Sequence, residues 1–305
     1  MTITRDGRLA IDQSGHEIYY QIHGDGPETL LCLHGGPGGN IGYLRRLGEL
    51  AEGDLRIVLF DQLGGGSSDR PDDDSLWVMQ QFVEQVDAVR EGLQLGDVHV
   101  FGRSWGAMLG LQYTLDYPKH VKSLVFSNAG ASTAQMVRAI TRCRLELGDK
   151  VLASMLQLEA TGDFSSPEYQ ELVWEFNARF LRRSTPFELA RSLSEAKSVL
   201  GELLASHGRP YYVMWGPNEF VVTGNLLPWD VTDRLHEVAV PTLVLTGLYD
   251  EQGIECHRIV AEGVQDSEFV IFGSSSHIIV LEKEADAYLD IVRGFIRRVI
   301  ARVPR

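Results

Sequence analysis

The chain has 305 residues, 42 acidic against 28 basic, for a formal net charge of −14. That length suits one catalytic domain carrying an insertion, and so large an acidic excess argues against nucleic acid or an anionic membrane as a partner. With 44% hydrophobic and 23% charged residues the chain reads as globular, its acidity first a solvated surface and second a mild preference for cationic small substrates.

The N-terminus, MTITRDGRLAIDQSGHEIYY, has no apolar core of the kind a secretory signal carries. No stretch approaches the roughly 18 apolar residues of a membrane span. Cys32, Cys143 and Cys256 lie far apart, without a metal-ligand spacing. We therefore expect a cytoplasmic protein with buried free thiols, no metal and no cofactor.

HEIYYQIHG alternates like a strand, and TLLCLHGG is a short apolar run ending in glycines. That run enters His34-Gly35-Gly36-Pro37-Gly38-Gly39, where backbone free of side chains can aim N–H groups at an anion. The competing reading is a phosphate loop, but no Lys-Ser/Thr follows and the G-x-G-x-x-G spacing is absent. His34 reads as a structural hydrogen-bonder. LRIVLFDQLGGGSSD repeats the strand-then-glycine design.

VHVFGRSWGAMLGLQYTLDYP is an apolar strand, a sharp turn and a helical pattern, with Gly102-Arg103-Ser104-Trp105-Gly106 at the turn. This G-x-S-x-G motif, in its strand–turn–helix context, marks Ser104 as a nucleophile exposed on a strained turn at a helix N-terminus. The bland alternative is a glycine-bounded turn with a capping serine. Gly36 N–H and Trp105 N–H are the expected oxyanion donors.

VKSLVFSNAG is a further strand, after which the texture changes. From about residue 131 to 236 apolar residues recur at helical spacing, as in MVRAITRCRLELGDKVLASMLQ and YQELVWEFNARFLRR. We expect a helical cap over 131–236, inserted in a catalytic domain of 1–130 and 237–305. Trp174, Tyr211, Trp215 and Phe220 are candidates for a substrate wall or for the cap's own core. VPTLVLTGLYD and SEFVIFG restore the strand pattern, and EADAYLDIVRGFIRRVI is a closing helix. Strands alternating with helices imply a mostly parallel sheet covered on both faces.

Asp250 follows the apolar run TLVLTG, and His277 stands in the loop SSSH before the last helix. Each alone reads as an ordinary loop polar group. The chain order Ser104, Asp250, His277 is the one a serine hydrolase of the α/β-hydrolase fold uses. His277 would take the serine proton, and Asp250 would fix its tautomer and stabilise the imidazolium.

Taken together, HGGPGG, DQLGGGSSD, GRSWGAMLG, MWGPNEF, GLYDE and SSSH resemble the proline iminopeptidase family, serine aminopeptidases of the α/β-hydrolase fold that include tricorn-interacting aminopeptidases and amino-acid amidases. The resemblance runs over nearly the whole chain, and GPNEF, TGN and PWDVTDRL are its most discriminating pieces. It implies a small peptide, aminoacyl amide or ester as substrate. It also implies that Glu219 and Glu251 clamp the substrate's free α-ammonium, although both read from sequence alone as solvated loop acids. Three departures stand out. Leu63 replaces the arginine of a DQRG loop, Arg103 stands where Gly, His or Gln is usual, and Phe180 lies in a segment without the usual histidine and cysteine. These leave open an esterase or amidase acting on a substrate without a free amine. A non-enzymatic binding protein is the third reading, disfavoured by an intact Ser, Asp and His.

Overall fold

The computed structural model describes residues 3–183 and 208–302. Eight strands, β1 (Arg5–Ala10), β2 (Glu17–His23), β3 (Glu28–Leu33), β4 (Leu55–Phe60), β5 (Val98–Arg103), β6 (Val121–Ser127), β7 (Thr242–Gly247) and β8 (Ser267–Phe272), form one sheet in the order β1-β2-β4-β3-β5-β6-β7-β8. β1 and β2 pair antiparallel with each other, and β2 is antiparallel to β4. Every later pairing is parallel.

Apolar residues on both sides of each central strand build two cores. On one face Leu31, Leu33, Val58 and Val244 meet α1 (Met79–Gly92), α2 (Trp105–Asp116) and α7 (Gly253–Gly263). On the other, Leu30, Cys32, Ile57 and Leu243 meet the 3₁₀ run Gly42–Leu50 and α8 (Ala285–Arg302). Burial on both faces is why these strands read as continuous apolar runs rather than alternating ones. This is the mostly parallel α/β-hydrolase architecture that the sequence implies.

Between β6 and β7 the described residues fold into helices: α3 (Thr133–Leu145), α4 (Asp149–Ala160), α5 (Pro167–Phe176) and the short α6 (Arg209–Met214). Among these described residues the only β-pairing is two isolated bridges, Ser132 with Asp230 and Asn218 with Val221. Gly148, at φ 95°, separates α3 from α4, so the long helical texture from Met136 resolves into two helices. The expected cap also includes residues 184–207, which lie outside the described ones. Among the described residues no helix is long and apolar enough to cross a membrane, and no group of His, Cys, Asp and Glu is arranged to hold a metal ion.

Candidate active site

Parallel strands deliver their C-terminal ends to one edge of the sheet, where ligands of such sheets bind. β3, β5 and β7 bring the glycine loop, Ser104 and Asp250 to that edge. Ser104 takes φ 56° and ψ −129°, a strained conformation for a side-chain-bearing residue. Its N–H is held by the Ser127 carbonyl at 2.9 Å. The flanking glycines are sterically required. A Cβ on Gly102 would lie 2.1 Å from the Gly106 carbonyl oxygen, and one on Gly106 would lie 2.1 Å from that of Leu33.

His277 Nε2 is 3.0 Å from Ser104 Oγ, and its Nδ1 is 2.9 Å from Asp250 Oδ1. All three sequence-predicted groups therefore meet in one hydrogen-bonded row. Asp250 also accepts from Gln252 N at 3.0 Å and from Asn128 Nδ2 at 2.6 Å. Burial opposes its charged form, but the adjacent His277 and these donors hold its carboxyl well below the usual range. Burial lowers the proton affinity of His277 more than Asp250 raises it, which leaves a neutral imidazole able to accept a proton. The arrangement suits proton transfer from a serine hydroxyl.

The glycine loop abuts the nucleophile: a Cβ on Gly35 would stand 3.1 Å from Ser104 Cβ. Gly36 has φ 130°, and a Cβ there would meet Gly39 N at 2.7 Å, so only glycine fits. Trp105 opens α2, where first-turn N–H groups have no intrahelical acceptor. No acceptor among the described residues takes the N–H of Gly36 or of Trp105. Gly35 N–H, by contrast, is occupied by the Tyr43 hydroxyl at 2.5 Å. His34 Nε2 accepts from Gln62 N at 2.9 Å, and Gln62 Oε1 accepts from Trp105 Nε1 at 2.8 Å. That chain of contacts ties the glycine loop to the elbow.

Glu251 is fully buried, and neither of its carboxylate oxygens has a hydrogen-bond partner among the described residues. Its Oε1 lies 4.0 Å from His277 Nε2. Burial, then Glu219 and then Asp250 push its carboxyl well above the ordinary range. Glu219 is half-buried, and desolvation pushes it up to about 7 against a hydrogen bond from Tyr211 and the charge of Arg103. Glu251 stands against His277, and its rise is helped by the charge of Glu219. Tyr211 and Phe220 are buried next to Glu219, Phe220 against Phe176 at 5.0 Å between ring centroids. Trp215 is buried in the first of the two core clusters, while Trp174, on α5, is only partly buried and packs against the second. Leu63 is buried, and its N–H donates to Gln85 Oε1 at 3.2 Å.

Asn128 and His257 carry little signal in the sequence, and Arg103 shows there only as a departure from the family pattern. Asn128, at φ 57°, ends β6 and anchors Asp250. An asparagine closing an apolar strand before Ala-Gly is the only hint. His257 lies 3.7 Å from Asp250 Oδ2 with its Nδ1–H on the Gly253 carbonyl. Arg103 donates to the His277 carbonyl. A cleft of about 580 Å³ borders α3 and the Leu248–Gly253 loop. Its lining includes Asp250 but neither Ser104 nor His277, so it does not hold the reacting bond.

Residues 28–283 match the family model described as the alpha/beta hydrolase fold. The chain is 33% identical over 288 residues to a proline iminopeptidase of Saccharolobus solfataricus, spanning 93% of this chain and 90% of that one. A proline iminopeptidase of Thermoplasma volcanium is 33% identical over 301 residues, 97% of each. Among solved structures, VinJ superposes with a TM-score of 0.88 at 29% identity, covering 98% of this chain and all of VinJ. The proline iminopeptidase of Mycobacterium smegmatis superposes with a TM-score of 0.83 at 28% identity, again over 98% of this chain and all of its own.

Proposed function

The chain belongs to the α/β-hydrolase family and, within it, to the proline iminopeptidases, and from that membership we propose how its residues carry out the reaction. It is a hydrolase releasing an N-terminal residue, proline or another small apolar one, from a peptide or aminoacyl amide. Ser104 Oγ bonds to the scissile carbonyl carbon as its proton passes to His277 Nε2. The carbonyl electron pair moves onto oxygen, which the N–H groups of Gly36 and Trp105 receive. Collapse of this intermediate breaks the C–N bond, and His277 returns the proton to the leaving amine. Water then repeats the sequence on the acyl-serine, releasing the amino acid and restoring the hydroxyl. Asp250 stays ionised throughout and balances the imidazolium. Residues 131–236 serve as the cap that shields this site, and 1–130 with 237–305 supply the catalytic domain.

The observation that carries the aminopeptidase reading is Glu251, buried without a donor among the described residues beside His277, where the charge of Glu219 is felt. A carboxyl buried without a donor is a site waiting for one, and a substrate α-ammonium supplies up to three. The experiment replaces Glu219 by Gln. On a prolyl amide with a free amine, kcat/KM should fall roughly 10–100-fold, equivalent to about 1.4–2.7 kcal/mol. Turnover of a simple acetyl ester should change little, because that substrate brings no ammonium. Equal losses on both would contradict a role in amine recognition.

A further inference from the structure

The reaction outlined above needs His277 held between two partners, and the loop that carries it has no helix or strand of its own. β8 ends at Phe272, and the next regular turn is Ile279–Leu281. Yet each N–H from Ser274 to Ile278 has an acceptor. Ser274 donates to Glu284 Oε2 at 2.8 Å, Ser275 to the Phe272 carbonyl at 3.4 Å and Ser276 to Glu282 Oε2 at 2.6 Å. His277 donates to the Phe180 carbonyl at 3.2 Å, and Ile278 to that of Leu181 at 3.0 Å. These last two acceptors belong to the insertion, in the π-helical turn Asn177–Leu181.

Glu282 is the side chain that joins the loop to the insertion. Its Oε2 takes Ser276 N–H, and its Oε1 takes both the Ser276 hydroxyl and Arg183 N–H, the latter at 2.8 Å. Ser276 is fully buried, so its N–H and hydroxyl need an acceptor from the protein. Arg183 follows the π-helical turn, and its guanidinium stacks 3.4 Å over the ring of Tyr249, in the loop that carries Asp250. One carboxylate thus ties the residue next to the base to the insertion, and the same insertion residue covers the loop of the orienting acid. Three donors converge on Glu282. An ionised carboxylate accepts all of them, whereas an amide in its place brings two donors of its own.

We propose that Glu282 positions the general base: its carboxylate pins Ser276 to Arg183 of the insertion and so fixes the backbone from which His277 reaches Ser104 and Asp250 at once. This rests on the reading of Ser104, His277 and Asp250 as the reacting row. Glu282 touches neither substrate nor reacting atoms, so it is a positioning residue. The imidazole meets Ser104 Oγ at 3.0 Å and Asp250 Oδ1 at 2.9 Å through its two different nitrogens, which leaves little slack in its placement. A shift of about 1 Å lengthens one contact or the other, and misplacement of that size costs on the order of 100-fold. The larger loss falls on the step that needs His277 as an acid. An amine leaves only when protonated, whereas a nitrophenolate leaves without that help.

The test measures kcat/KM on a prolyl nitroanilide and on the prolyl nitrophenyl ester, which share the acyl group and the ammonium and differ only in the leaving group. The proteins are wild type, Glu282→Gln and Glu282→Asp, with active sites counted by the endpoint of fluorophosphonate labelling. Per labelled site, Glu282→Gln should lose roughly 100-fold on the anilide and less than roughly tenfold on the ester. Glu282→Asp keeps the charge and both oxygens on a shorter stem. It should fall between wild type and Glu282→Gln, and it carries the same comparison if the glutamine variant does not fold. Equal losses on anilide and ester would overturn the proposal. So would wild-type turnover per labelled site with a loss only in melting temperature or in labelled fraction, which is the mark of a purely structural fastening. A wild-type protein that the fluorophosphonate does not label would instead overturn the reading of the reacting row.

Discussion

Glu251 is buried beside a second carboxyl and beside Asp250, with no donor on either oxygen among the described residues. Such a group is tolerated in the free protein by holding a proton. Its folded-state pKa lies well above the ordinary value of 4.5. The stability associated with the protonated acid is therefore fully present below about pH 4.5 and is lost as pH rises through the folded-state value. Glu251→Gln removes that penalty. Thermal melts should show the variant gaining little at pH 5 and on the order of 1–3 kcal/mol at pH 8, while cleavage of free-amine substrates falls. A stability difference that is flat or shrinks with pH would contradict this. The sequence marks Ser104, Asp250 and His277 because that chain order, with each residue just past an apolar strand, rarely arises without a triad. It marks Glu219 and Glu251 only through the family resemblance. Asn128 escapes it, and Arg103 shows only as a departure from the family pattern, because their partners are distant along the chain: Asn128 and Asp250 are 122 residues apart, and Arg103 and the His277 carbonyl are 174 residues apart. No local pattern carries that information.

The nucleophile elbow is where one element decides the position of its neighbours. α2 crosses so close to β3 that a Cβ on Gly106 would meet the carbonyl oxygens of Leu33 at 2.1 Å and His34 at 2.7 Å. These are backbone atoms of a central strand, which cannot swing aside as a side chain does. Gly106→Ala should push α2 away from β3 and displace Ser104 from His277, lowering the melting temperature by several degrees and kcat by more than roughly tenfold. A variant with wild-type melting and turnover would show that the elbow has slack the structure does not display. The same scale shows what sequence patterns reach. Central strands such as β3 and β7 are legible because both their faces are buried, which leaves an unbroken apolar run. β1, with the sequence RDGRLA, is not, because it is an exposed edge strand with Leu9 as its main apolar anchor, packed against Gly92. The break between α3 and α4 is equally hidden, because Gly148 inside a helical texture is compatible with either a kink or a stop.

Across the whole molecule, a net charge of −14 points loosely toward cationic ligands, but composition does not say which acids matter. Many of them sit on the surface in exposed pairs such as Arg297–Glu52 and Arg302–Asp266, which contribute little. Glu251 differs because the fold buries it without a donor among the described residues 4.0 Å from His277, where the charge of Glu219 in the insertion is felt. There, exclusion of water strengthens every charge interaction. The central claim is thus a requirement for a free amine next to the bond that Ser104 attacks. It is tested most directly by comparing kcat/KM of the wild-type protein on a prolyl chromogenic amide and on the same amide with its nitrogen acetylated. The account predicts that acetylation lowers kcat/KM by at least roughly 10–100-fold, the worth of one charge-assisted contact. Equal cleavage of the two would contradict it and leave an esterase or general amidase in its place.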